Sequence, residues 1–77
     1  MASFTRGRCL LKPLLKRINM SQSELARRSG YSTRMISYFA NDQKKMSADA
    51  MYTISQIIGC SMEALYEWVK VSIGTAE

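Results

Sequence analysis

The sequence predicts an all-α domain of five short helices with a short, strand-like C-terminal tail. Three observations point there. Apolar residues recur at three- and four-residue spacing through most of the chain. Serines at 21, 32, 47 and 61 and glycines at 30 and 59 stand where those stripes start and stop. Strict alternation is confined to the end, where Val69, Val71 and Ile73 interleave with Lys70 and Ser72. With 77 residues, 47% of them hydrophobic, the chain suits one small folded domain rather than disorder.

Residues 1–8 are small, polar and basic and read as a flexible N-terminal arm; residues 9–68 read as the folded domain and 69–77 as the tail. The first helix is expected over Leu11 to Ile18, with Leu11, Leu14, Leu15 and Ile18 inward. Pro13 is tolerable only in a first turn, where its missing N–H would have no partner anyway, so the helix starts just before it or kinks. Lys16 and Arg17 fall near its end, where cations complement the helix dipole. Ser21-Gln22-Ser23-Glu24 has the form of a capping box, in which Ser21 accepts from an N–H three residues on and Glu24 reaches back.

The helix that Ser21 opens runs to about Ser29, with Leu25 and Ala26 inward and Arg27 and Arg28 outward. Gly30 ends it, because glycine takes the left-handed conformation cheaply. Ser32 caps the next helix, Thr33 to about Ala40. Met35, Ile36, Phe39 and Ala40 share one side of it; Thr33, Arg34, Ser37 and Tyr38 share the other, with Asn41 at its end. Residues 41–45 form a polar loop. Ser47 caps a fourth helix carrying Met51, Ile54, Ile57 and Ile58 on its apolar side, stopped by Gly59. Ser61 caps a short fifth helix with Leu65 and Trp68 inward.

Net charge is +5, unevenly placed. Residues 1–45 hold ten Lys/Arg against Glu24 and Asp42, a balance of +8; residues 46–77 hold Lys70 against Asp49, Glu63, Glu67 and Glu77, a balance of −3. A basic front half suits a polyanion, and equally a solvated surface. Two cysteines, Cys9 and Cys60, without histidine do not make a structural zinc site, and no other cofactor is implied. Both read as minor core residues with reduced thiols. The start, MASFTRGRC, lacks the apolar segment of a signal peptide, and no apolar run approaches the ~20 residues that span a bilayer. The expectation is a cytoplasmic protein with no membrane partner. With no histidine and no phosphate-cradling glycine loop, an enzyme is not expected.

Residues 22–41 have the layout of a helix-turn-helix: a small residue where two helices cross (Ala26), a turn glycine (Gly30), and buried hydrophobes locking the second helix (Ile36, Phe39), with Leu25 completing the motif core. An ordinary helical hairpin shares that layout. SQSELARRSG followed by YSTRMISYFAN resembles the lambda-repressor-like (Xre/Cro) helix-turn-helix family, and GCSMEALYEW is similar to that family's final helix. The resemblance covers about Leu11 to Trp68. It implies a five-helix fold and sequence-specific binding of double-stranded DNA, usually by a homodimer on a palindromic operator, in repression or a phage-type switch. A bacterial cytoplasm or nucleoid, or a phage-infected host, is the setting it implies. The chain departs from the family pattern at Ser29, where an apolar residue is usual, and at Tyr31, Asp42-Gln43 and Pro13.

Carried onto matching positions, the resemblance implies base reading by Thr33, Arg34, Ser37 and Tyr38. Arg34 offers a planar fork for guanine O6 and N7, and Thr33 a methyl or hydroxyl for a base edge. Gln22, Ser32, Asn41, Lys44 and Lys45 fall where phosphates would be held. Two self-association surfaces are offered: the tail, through Val69, Val71 and Ile73, and the last helix, around Leu65 and Trp68. The alternative for the tail is a strand-like segment folded onto its own core, or a frayed end. The competing function is a small helical protein-interaction module, antitoxin-like or regulator-binding, with weak or no DNA binding.

Overall fold

A computed structural model describes residues 2–72. Four α-helices form the body: α1 (Leu11–Arg17), α2 (Gln22–Ser29), α3 (Thr33–Ala40) and α4 (Ala48–Ile58). Two strands flank them, β1 (Ala2–Cys9) and β2 (Tyr66–Ser72), paired antiparallel as a ribbon. The helical boundaries follow local chemistry. The hydroxyls of Ser21, Ser32 and Ser47 accept from the N–H groups of Glu24, Met35 and Ala50 at 3.0, 3.0 and 3.2 Å. Gly30 (φ +83°) and Gly59 (φ +88°) end α2 and α4 in the left-handed region. Pro13 is the third residue of α1, inside the first turn where its missing donor costs nothing.

The core gathers Leu11, Leu14 and Leu15 of α1, Leu25 and Ala26 of α2, Ile36, Phe39 and Ala40 of α3, and Ala50, Met51 and Ile54 of α4. Ile18 caps α1 and is exposed rather than inward. Ser55 is buried on α4, its hydroxyl donating to the Tyr52 carbonyl at 2.8 Å, so no polar atom is stranded there. Ser29, at a position usually apolar, is half-buried and satisfied locally: its hydroxyl donates to the Ala26 carbonyl and accepts from the Tyr31 N–H, both at 3.3 Å.

Further expectations are corrected. The fold is helical but not all-α, and the fifth helix is only a 3-10 turn, Met62–Leu65. Tyr66 already has extended backbone (φ −136°, ψ 154°), and from there aromatic and β-branched residues favour a strand. Trp68 therefore lies on a strand and is exposed; its indole N–H donates to the Glu63 carbonyl at 2.8 Å. The expected arm, residues 1–8, is mostly β1, and the tail pairs with it within the same chain. Ile73 lies outside the described residues.

The ribbon register pairs Ser3 with Val71, Phe4 with Lys70, Thr5 with Val69, Arg6 with Trp68 and Cys9 with Tyr66. Three steps along β1 from Arg6 to Cys9 oppose two along β2, so β1 holds one extra residue, a bulge. The bulge brings Arg6 and Cys9 onto the ribbon face that carries Tyr66. A Cβ on Gly7 would sit 3.1 Å from the Glu67 carbonyl oxygen and 3.2 Å from Val69 Cγ2, a tight fit in which β2 must give by a few tenths of an ångström. The molecule measures 47 × 20 × 19 Å.

Candidate nucleic-acid interface

Helix α3 is two-sided. Ile36, Phe39 and Ala40 are buried, while Thr33 and Arg34 are exposed, Tyr38 is 38% exposed and Ser37 half-buried. The sequence puts them there by period: Ile36 and Phe39 anchor one side, so residues 33, 34, 37 and 38 must turn away. Tyr31 meets Phe39 edge to face, ring centroids 5.9 Å apart, which seats the turn before α3 against its buried side.

At the end of α3, Asn41 Nδ2 donates to Ser37 Oγ at 3.2 Å, so the amide continues the exposed polar row. The chain then wraps back on the helix, with the N–H groups of Gln43 and Lys44 both donating to the Tyr38 carbonyl, at 2.9 and 3.3 Å. Lys44 and Lys45 stand exposed on this loop. No carboxylate of the described residues pairs with Arg34, Lys44 or Lys45. At the front of the motif, Gln22 is half-buried in the first turn of α2 and Ser32 is exposed at the start of α3. Thr33, Arg34, Ser37, Tyr38, Asn41, Lys44 and Lys45 thus lie on α3 and its following loop; Gln22 begins α2 and Ser32 caps the start of α3.

Three other basic residues, Arg8, Arg27 and Arg28, are paired with carboxylates. Glu24 does not complete a capping box. Its carboxylate accepts from Arg27 and from Arg28, each at 2.6 Å, and these bonds, Arg27 first, pull its pKa down to about 2. Arg8 donates to Glu67 at 3.3 Å.

Helix boundaries, the two-sided α3 and the basic loop meet in one family. A model of the Cro/C1-type HTH DNA-binding domain matches residues 11–70. The chain belongs to that family. No curated protein matches it. A Cro/C1-type HTH domain is a DNA-binding domain, so double-stranded DNA is the partner that the family match supports. No helix of the described residues is long and apolar enough to cross a membrane.

Sequence reasoning missed what holds the loop. Asp42 stands out in the sequence only as a departure from the family pattern. Its Oδ1 accepts from the Cys9 N–H at 2.9 Å, and its backbone takes φ +60°, which Asp tolerates better than most residues. An Asn-Asp pair after a helix is a turn signal, but the strand it fastens is invisible locally. Leu65, offered as a contact surface, is fully buried in the chain's own core. Cys9 is buried and Cys60 half-buried, and burial pushes both thiols up.

Proposed function

We propose that this chain is a sequence-specific transcriptional regulator of the repressor type, laying α3 in the major groove of a palindromic operator. The observation that carries the proposal is the polar side of α3, left bare by a helix whose other side is wholly committed to the core. Thr33, Arg34, Ser37 and Tyr38 read base edges; Arg34 supplies the one planar, bidentate donor among them. Gln22, Ser32, Asn41, Lys44 and Lys45 hold phosphates on either flank, fixing register rather than sequence.

The working form is a homodimer joined through the ribbon. Phe4 is 65% exposed and Trp68, Val69 and Val71 are also exposed, on both faces of a two-stranded sheet that would be marginal by itself. Each strand keeps an unpaired edge, and pairing one such edge with its two-fold copy gives an isologous dimer with a four-stranded sheet. Sedimentation at micromolar protein checks this: a stable monomer, even with a palindromic duplex present, ends the dimer reading.

Selection of bound duplexes from a random pool tests the whole proposal. It should return two inverted half-sites about one helical turn apart. The same exposed apolar ribbon also favours a second reading, a protein-interaction module of antitoxin type. Salt separates the two: neutralised phosphates make affinity fall steeply with salt, whereas an apolar protein contact responds little.

A further inference from the structure

The loop between α3 and α4 is held at both ends by the ribbon. At its start, the Cys9 N–H donates to Asp42 Oδ1 at 2.9 Å. At its end, both backbone groups of Met46 are taken: the N–H donates to the Tyr66 hydroxyl at 3.1 Å, and the carbonyl accepts from Arg6 Nη1 at 2.6 Å. Arg6 in turn lies over the Tyr66 ring, 5.1 Å from its centroid. The Met46 side chain is 1% exposed, a plug that seats this end of the loop in the core. Lys44 and Lys45 stand between the two fastenings. Arg6 and Cys9 precede the family-matched segment, which begins at residue 11, so the fastening on that side is supplied by this chain's own first strand.

We infer that the ribbon is a brace for the DNA-facing loop, with Arg6, Asp42 and Tyr66 as positioning residues that set where Lys44 and Lys45 meet phosphate. This rests on the DNA-binding reading above and deepens it. The reasoning is geometric. A seven-residue polar loop with two lysines has many conformations of similar energy, and a phosphate contact that must first order the loop is weak. Fixing residues 42 and 46 removes most of that freedom beforehand. Arg6 thereby ceases to be a free cation of a basic arm: its guanidinium is engaged by a carbonyl and a ring, and its contribution to DNA binding passes through the lysines.

Tyr66→Phe is the discriminating variant, because it removes one hydroxyl, keeps the ring under Arg6 and changes no charge. Affinity for the selected duplex is measured across a salt series for the wild type, Tyr66→Phe, Lys44→Ala/Lys45→Ala and the three changes combined. The brace predicts that Tyr66→Phe flattens the log–log salt slope by about 1 for each lysine that loses its phosphate. It also predicts that the two lysine changes cost less affinity in the Tyr66→Phe background than in the wild type. Amide exchange in the free protein adds a readout that needs no DNA: residues 42–46 should lose protection while α2 and α3 keep theirs. Should Tyr66→Phe not fold, Arg6→Lys takes its place, because it keeps the charge while removing the planar guanidinium over the Tyr66 ring, and the same flattened slope and loop exchange are expected. A folded variant with an unchanged slope, additive costs or unaltered loop exchange overturns the brace. A wild type that binds duplexes without salt dependence overturns the DNA reading instead.

Discussion

The α2–α3 motif and the terminal ribbon are built from different kinds of information. The motif, residues 21–41, is local: Ser21 and Ser32 open its helices, Gly30 separates them at φ +83°, and every hydrogen bond that defines it joins residues close in sequence. The ribbon joins the two ends of the chain, pairing Phe4 with Lys70 and Arg6 with Trp68. The first presents side chains from helices seated in the core shared with α1 and α4. The second depends on closing a loop of nearly the whole chain before any pair forms. The motif should therefore survive changes that open the ribbon, and the ribbon should not survive loss of the motif's core.

The severest test of that asymmetry is Ile36→Ala. Ile36 is fully buried on the inner side of α3, and emptying its site should cost about 2–5 kcal/mol, a large share of what a domain this size holds. Denaturant unfolding should show helices and ribbon lost together; a ribbon persisting without the helices would reverse the hierarchy. Gly7→Ala probes the other side. Its methyl would sit 3.1 Å from the Glu67 backbone oxygen, so β2 must shift by a few tenths of an ångström, at about 1 kcal/mol. Amide exchange should rise over 2–9 and 66–72 while α2 and α3 stay protected.

How much of this was legible in the sequence follows the same division. The limits of α2 and α3, the bare row Thr33–Arg34–Ser37–Tyr38 and the family itself are written in capping serines, a turn glycine and helical period, signals that act within a few residues. Gly7 and the charges around it hide β1, because a bulged edge strand rich in small and basic residues looks like a loose arm. Trp68 misled because a helix continued past Leu65 would turn it inward, and only the pairing with Arg6 shows that the strand has already begun. Asp42 and Met46 carry no local mark of their role, since both are defined by partners at the far ends of the chain.

A milder change sharpens what the motif does. Arg34→Ala should leave stability intact and reduce discrimination at one base pair by about 1–3 kcal/mol. Binding to a panel of single-base operator variants reads this out, and an equal loss on all of them would make Arg34 a phosphate contact. The smallest effect concerns pH. The Glu24 carboxyl is held at about 2, below its ordinary 4.5, so its stabilising contribution is full above pH 4.5 and drains away as pH falls through 2. The group is exposed to solvent, so the change is small. Glu24→Gln should flatten the acid limb of the stability profile and leave the neutral region nearly unchanged; an identical acid limb in both proteins would mean the Arg27 and Arg28 contacts contribute nothing.

The most direct measurement is the set of backbone amide shifts in nitrogen-labelled protein on titration with the selected duplex. The account predicts that the largest changes fall on residues 33–38 and on the loop through Lys45. Changes confined to the ribbon, or a spectrum indifferent to DNA, would contradict it.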